Sequence, residues 1–564
     1  MRATSIGHAG ILVQTRQATI VCDPWFLPAF LGSWFVFPRN DQLSPQLMAV
    51  IESPDYLYIS HQHADHLDEP WLASHIDKAT KVLLPAFATR ELERRLSKLG
   101  FTNFVRTENG KETDLGDSLT IAIHVETAIA DGPGGDSAIM ISDGESRLVN
   151  QNDCRTGDLG DSLTIAIHVE TAIADGPGGD SAIMISDGES RLVNQNDCRT
   201  GDLGALTVHG PVDMHWLQYS GAIWYPMVYD EPRESLMQQA RLKVESQFAR
   251  SMKYVSLVDA RVVVPSAGPP CFLDEDLFSA NMITGDELSI FPDQTEFIKH
   301  LRAVGNDRAA LNIPGTTIEI SPSSIVVTHP MSDELVQRPF THKEKYLREY
   351  QADWSEWLRD YKATWPQQKT DLLTQLQDWW QPLLAMAPTL RTAIGGGCLL
   401  KTDDAEMYID FANGLVVPFA DQQYRYRFVI ARPLLEKTVA DRAIDWSNSL
   451  FLSCRFTAWR DGAYNEFLYN FFKSLSVERM RRAEQEAVRR TAPDNAAGQL
   501  SAEIEIDGYV MQRLCPHRQA DLSEFGRIDK GFVVCDLHGW RFSVVDGHCS
   551  NADDRKLKIR KRTS

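Results

Sequence analysis

Tyr56-Leu-Tyr-Ile-Ser60 runs directly into His61-Gln-His63-Ala-Asp65-His66. The first segment is an apolar strand, and the second places three imidazoles and a carboxylate in one short loop. So many ligand-type side chains in one loop are costly unless something binds them. Imidazole suits zinc and iron, and a carboxylate beside it suits a hard second ion or an activated water. His61 and His63, spaced by one residue at a strand end, can approach one metal together, while Asp65 and His66 can turn toward a neighbour. The predicted metal ligands here are His61, His63, Asp65 and His66, and Asp65 and His66 are also the candidate catalytic residues.

A second constellation lies near the C-terminus: Cys515-Pro-His517, then Cys535-Asp-Leu-His538. Two Cys/His pairs at this separation suit a Rieske 2Fe–2S cluster, in which two thiolates hold one iron and two imidazoles the other. Mixed ligation raises the potential to roughly −150 to +300 mV, against about −400 mV for plant-type all-Cys centres. Zinc held by two Cys and two His is the rival reading. The flanks favour the cluster: Cys-Pro-His, then Cys-x-x-His followed by Gly539-Trp540 with Phe542 nearby, look like the two loops of a Rieske ferredoxin domain. Cys515, His517, Cys535 and His538 are the predicted cluster ligands. Such a centre carries single electrons, so redox chemistry is expected.

The bulk numbers set limits. A chain of 564 residues is too long for one core. Hydrophobic content of 43% and charged content of 24% are those of ordinary globular protein. A net charge of −20 argues against broad nucleic-acid binding and against an anionic membrane surface. Neither a signal segment nor a long apolar run is read, so no membrane partner and a cytoplasmic location are expected. The 9 cysteines are scattered rather than arranged as a disulfide framework, which fits a reducing compartment.

Residues 114–157 and 158–201 are identical, and the recurrence of Asp-Leu-Gly at 114, 158 and 202 suggests a tandem copy made at a short match. Each copy reads as three short strands; in the first these are Leu119–Val125, Ala138–Ser142 and Arg147–Asn150. One fold is expected to use one full set or a mixture of the two. Every site residue in this unit therefore has a twin.

The N-terminal half resembles the metallo-β-lactamase fold. Besides the His61–His66 loop, Gly7-His8-Ala-Gly10 follows the first strand and Cys22-Asp23-Pro24-Trp25 the second, placed as in that superfamily. The resemblance implies a metal-bridging Asp197 (twin Asp153) after a strand, and offers His168 (twin His124) as the third imidazole, with Asp175 (twin Asp131) as its substitute. It also places His8 close behind the ligands and gives Asp23 the task of orienting a ligand His. The family's last His has no match; Ser266, in Val262-Val-Val-Pro265-Ser-Ala-Gly268, occupies that stretch. A site with few protein ligands keeps open positions, as oxygen-activating iron requires. Mononuclear or dinuclear iron, or zinc, is expected.

Further segments resemble the CMP-N-acetylneuraminate hydroxylase family: Asp23-Pro-Trp-Phe26, Pro28-Ala-Phe-Leu-Gly-Ser-Trp-Phe35, Ser220-Gly221-Ala with Tyr225-Pro226-Met227, Tyr408-Ile-Asp410-Phe-Ala, and Glu466-Phe-Leu-Tyr-Asn-Phe-Phe472. This likeness is read over most of residues 1–475. In that family the Rieske domain precedes the hydrolase-like domain, whereas here it follows.

The resemblance implies a Rieske-dependent non-haem iron monooxygenase hydroxylating an N-acyl nucleotide-sugar such as CMP-N-acetylneuraminate, or a related small molecule, with O2 as co-substrate. Hydrolysis by a bound hydroxide needs no electrons, so a fused electron carrier favours oxygenation. A metal-dependent hydrolase with an accessory redox domain is the alternative. No Gly-x-Gly-x-x-Gly follows a strand, so an external ferredoxin, small cytochrome or flavin reductase is expected to supply electrons.

The expected architecture is an αββα metallo-β-lactamase-fold sandwich over 1–330, a mixed α+β domain over 331–490, and a small all-β Rieske domain over 499–564. Thr491–Gly498 is the linker between the last two. Helix is predicted over Glu234–Tyr254 and within 343–389, where Trp354, Trp357, Trp365, Trp379 and Trp380 form a core or a seat for the Rieske domain. The basic tail Arg555–Arg562 is expected to be solvated or to dock an acidic electron-transfer partner.

Overall fold

The computed structural model describes the chain from Arg2 to Arg562 except residues 15–17, 60–61, 85–89, 108–111, 117–118, 126–136, 143–146, 153–166, 170–180, 187–190, 197–210, 221–223, 267, 283–289, 321–322, 463, 492–502, 517–521, 537–538 and 552–554.

Period-two alternation builds the first sheet. Along successive strands Leu12, Val21, Leu57 and Val82 enter one buried cluster, while Val13, Ile20, Cys22, Tyr56, Tyr58 and Leu83 enter another. Both faces are covered, which is why these strands read as almost continuous apolar runs. The sheet is 8-stranded, in the order Ile325–Thr328, Thr317–Ile320, Arg2–Gly7, Gly10–Gln14, Thr19–Cys22, Tyr56–Tyr58, Lys81–Leu84, Phe104–Arg106. Pairing is antiparallel as far as Thr19–Cys22 and parallel beyond it.

One face packs on helices Pro45–Glu52, Glu69–His75 and Glu91–Lys98 through Ile51, Trp71, Leu72, Leu92 and Leu96. On the other, Ile318 meets Met214, Val262 and Val264 of a second, 5-stranded sheet. The far side of that second sheet, carrying Leu217 and Val263, is covered by helices Arg233–Val258 and Gln294–Ala303 through Tyr254, Val255, Phe297 and Leu301. The layers are therefore helix, sheet, sheet, helix: the expected αββα metallo-β-lactamase-fold sandwich.

The structure keeps strands from both copies of the duplicated unit. The first copy's Leu119–Val125, Ser137–Ser142 and Arg147–Asn152 pair in sequence with Glu112–Gly116 in a 4-stranded antiparallel sheet. The second copy's Ile167–Val169, Ser181–Ser186 and Arg191–Asn196 join Met214–Gln218 and Val262–Ser266, the last three strands being parallel. Each copy is captured by the strand nearest to it along the chain, which is the shorter loop to close.

The middle of the chain forms a 5-stranded sheet in the order Leu415–Pro418, Glu406–Asp410, Cys398–Lys401, Tyr426–Ile430, Phe456–Arg460. Helices Leu372–Ala385, Pro388–Ile394, Arg432–Ala440, Glu466–Lys473 and Val477–Thr491 pack on it. Its core is aromatic, with Trp380 edge-on to Trp446 at 5.0 Å. That core continues into the N-terminal half through Trp25, Phe30 and Trp34. A buried ion-pair group fastens the same seam: Arg455 donates to Ser33 Oγ at 2.8 Å and pairs with Asp274, which also pairs with Lys362.

The C-terminal domain consists of two 3-stranded antiparallel sheets, Glu503–Ile506, Tyr509–Gln512, Ile559–Lys561 and Gly526–Asp529, Phe532–Cys535, Trp540–Ser543. Two pairs of alternatives are resolved here. The tryptophans are not its seat: Trp379 and Trp380 lie in the middle core, and Trp354 and Trp357 pack toward Phe35. Its core instead merges with the Arg233–Val258 helix, because Tyr254, Val255 and Val258 supply the apolar surface there. The tail is solvated, as expected, with Lys556, Lys558, Arg560, Lys561 and Arg562 exposed, and several of its charges are answered within the protein. Arg560 pairs with Glu503, Arg562 with Glu505 at 2.7 Å, and Arg555 with Glu466 at 3.7 Å.

Candidate metal and cluster sites

Parallel strands Thr19–Cys22 and Tyr56–Tyr58 end side by side, with Cys22 in register with Tyr58. Their carboxyl ends lead to Asp23 and to the segment His63–His66, where open parallel sheets hold their ligands. His8 arrives from the turn that follows strand Arg2–Gly7 of the same sheet. Its φ is +50° and that of Asp23 is +44°, both in the left-handed region. Non-glycine residues held there cost on the order of 1–3 kcal/mol and cluster at functional sites.

Ligand atoms of His8, Asp65 and His66 lie within 4.8 Å of one another. His8 Nε2 is 3.2 Å from Asp65 Oδ2, and His66 Nε2 is 4.0 Å from the same oxygen. Asp65 and His66 are 8% and 7% exposed, so water is largely excluded. Burial pushes the Asp65 carboxyl up, but the charge of His66, the hydrogen bond from His8 and the charges of His8 and His63 together hold it well below the usual carboxylate range. A buried, ionised carboxylate among imidazoles is a donor set for a divalent cation.

Behind it, fully buried Asp23 accepts from His66 Nδ1 at 3.2 Å, turning Nε2 toward Asp65. The ring of Trp25 stands edge-on to His8 at 5.0 Å. Asp68 caps the Glu69–His75 helix through Trp71 N–H and also accepts from the N–H groups of Phe26 and Leu27, tying the segment after Asp23 to that helix. Burial pushes the Asp68 carboxyl up to about 6 even so.

Of the predicted ligands, Asp65 and His66 meet here, and half-buried His63 lies close enough to act on the Asp65 charge. His61 and Asp197 lie outside the described residues, as do Asp153, Asp131 and Asp175. The backbone of His168 sits opposite Ala182 on strand Ile167–Val169, and that of His124 opposite Ala138. Ser266 ends the Val262–Ser266 strand opposite Gln218 and is buried. Sequence reasoning placed His8 behind the ligands; the structure puts it in the cluster. Gly7-His8-Ala-Gly10 was the available signal, since Gly7 has φ +117° and a Cβ there would sit 2.8 Å from Val36 Cγ1.

At the other end of the chain, Cys515 and Cys535 are fully buried in one core, and neither is in a disulfide. Their partners His517 and His538 lie outside the described residues.

A family model described as the Rieske [2Fe-2S] domain matches residues 484–559, and one described as the Rv3818-like, SCP2-like domain matches residues 372–489. The Rieske 2Fe-2S iron-sulfur protein Rv3818 of Mycobacterium tuberculosis (strain ATCC 25618 / H37Rv) is 38% identical over 573 residues, spanning 99% of this chain and 99% of its own. The chain belongs to that Rv3818-like Rieske family. The cytidine monophosphate-N-acetylneuraminic acid hydroxylase of Xenopus laevis is 28% identical over 162 residues, 27% of this chain and 26% of its own. That is narrower than the likeness read over most of residues 1–475. Among solved structures, CmlA, a diiron β-hydroxylase from Streptomyces venezuelae, is similar at 16% identity and a TM-score of 0.29, covering 57% of this chain and 54% of its own.

This Rv3818-like chain thus carries a Rieske 2Fe–2S domain and, in its N-terminal sandwich, a group of residues that could hold a metal ion. The match over residues 372–489 falls within the mixed α+β domain expected over 331–490; its family was not read from the sequence, because that domain is built from apolar packing rather than from a chemical motif.

Proposed function

We propose that the chain is a Rieske-dependent non-haem iron monooxygenase, hydroxylating the N-acyl group of a nucleotide-sugar such as CMP-N-acetylneuraminate or a related small molecule. One observation carries this reading: the two cluster cysteines share a buried core with the helix that covers the metal-bearing sandwich. A built-in one-electron carrier serves oxygenation and is idle in hydrolysis. The partial likeness to the Xenopus hydroxylase supports the substrate class.

In this reading His61, His63, Asp65, His66, His168 and Asp197 are the metal-binding set, with His8 beside them. Iron bound there supplies oxygen activation. Asp65 is buried and would contribute a fixed negative charge to a bound cation. Asp23 holds the His66 ring so that one nitrogen faces inward, and Trp25 limits rotation of His8. A C–H bond of the acyl group becomes C–OH with one atom of O2. The other atom leaves as water, taking two protons and two electrons. An external ferredoxin, small cytochrome or flavin reductase recharges the cluster. Among the described residues no helix is long and apolar enough to cross a membrane; the proposed location is the cytoplasm.

The test is turnover of CMP-N-acetylneuraminate by iron-loaded protein with a reduced donor. The expected result is O2 uptake and donor oxidation in step with product, with label from oxygen-18 gas in the new hydroxyl. Asp65→Asn is expected to abolish this while leaving the cluster's paramagnetic signal intact. Product formed without O2 and without donor oxidation would instead establish the hydrolase.

A further inference from the structure

The Arg233–Val258 helix touches the second cluster segment on both sides of His538. Asp536 follows ligand Cys535 directly, and its Oδ2 lies 3.1 Å from Lys253 Nζ. Gly539 follows His538 directly; a Cβ there would stand 2.9 Å from Ser246 Oγ. Ser246 and Lys253 are seven residues apart on one helix, which is two turns and therefore the same face. Gly539 also has φ +72°, so glycine is required twice over, by conformation and by the closeness of the helix.

The contacts around Asp536 are specific. The carboxylate is 3% exposed, and its other oxygen accepts from Arg527 Nε at 2.8 Å within the Rieske domain. Its N–H donates to Phe525 O at 2.8 Å. Lys253 Nζ lies 5.1 Å above the Phe525 ring, which also meets Tyr254 edge-on at 6.5 Å. The helix is anchored on its other side too, where Ser251 Oγ donates to Gln218 O at the end of a central strand of the second sheet. A buried carboxylate needs its charge partners, and removing one leaves it uncompensated.

We propose that this helix clamps the Cys535 segment through Lys253 and Ser246, so that the Rieske domain is a stationary carrier seated on the sandwich rather than a swinging one. Lys253 and Ser246 are positioning residues for the cluster. The proposal concerns how the cluster is seated and stands apart from the oxygenase reading, which concerns where its electrons go.

The test uses the full-length, cluster-loaded protein. In Lys253→Met, the loss of a positive charge beside the cluster favours the oxidised form, so the midpoint potential falls. Protease also releases the Rieske domain several-fold faster. Lys253→Arg restores both readings, and Lys299→Met, an exposed lysine elsewhere, changes neither. An unchanged potential together with unchanged release in Lys253→Met overturns the proposal. Gly539→Ala provides the second arm: it lowers acid-labile sulfide content, and adding Ser246→Ala recovers part of the loss. Equal loss with and without Ser246→Ala removes Ser246 from the clamp.

Discussion

Asp23→Asn probes the metal site with little else disturbed. Asparagine keeps the size of the side chain and tolerates the left-handed backbone at φ +44°, so the fold should survive. What changes is the charge 3.2 Å from His66 Nδ1. The carboxylate now fixes the tautomer and ring angle that turn Nε2 toward Asp65, and raises the basicity of that nitrogen. Loss of such an outer partner typically costs about 10–100-fold in metal affinity, equivalent to about 1.4–2.7 kcal/mol. The assay is anaerobic competition of iron(II) between the protein and a chelator of known affinity, wild type against variant. Thermal melts without added metal check that the metal-free fold is unchanged. Wild-type affinity in a normally folded variant would refute the role given to Asp23.

Three further outcomes follow from the packing. Arg455→Met should destabilise the protein by about 3–5 kcal/mol in chemical denaturation, since it breaks a buried pair whose two side chains are each 10% exposed; a loss below about 1 kcal/mol would mean the seam does not depend on that pair. Burial pushes the Asp274 carboxyl up, but Arg455 and Lys362 outweigh it and hold it below the usual range. A depressed acid stabilises the fold fully above its unfolded value of about 3.9, and that contribution is lost as pH falls through the folded value. Stability should therefore drop on acidification below about pH 4, and Asp274→Asn should blunt the drop; identical acid curves would exclude this group as a cause. Excising residues 158–201 should raise soluble yield, because Arg147–Asn152 can then take the place of Arg191–Asn196 beside Met214–Gln218 and merge two sheets into one. That removes a surplus pair of strand edges; equal or poorer yield would count against it.

The sandwich was legible because its evidence is local. The apolar run Tyr56–Ser60 ending in a crowd of imidazoles is costly without a ligand, and the Cys/His pairs have few other uses. The remaining features depend on contacts distant in sequence. The glycines of Gly7-His8-Ala-Gly10 signal a turn, but not that the turn carries His8 to Asp65. Ser246 and Lys253 look like solvated helix positions until Gly539 and Asp536 are brought against them. The charges of Arg560 and Arg562 are answered by Glu503 and Glu505, on the far side of the domain in sequence. Two identical repeats could not reveal from composition which neighbour each would pair with.

The most direct test of the central claim is the ratio of iron to acid-labile sulfide in protein purified with both iron and zinc supplied, repeated for His66→Ala. The Rieske cluster alone contains equal numbers of the two. An iron redox site in the sandwich predicts iron in excess of sulfide in the wild type, falling to parity in His66→Ala with the cluster signal unchanged. Parity in the wild type, with zinc filling the N-terminal site, would contradict the oxygenase and leave a hydrolase carrying a Rieske domain.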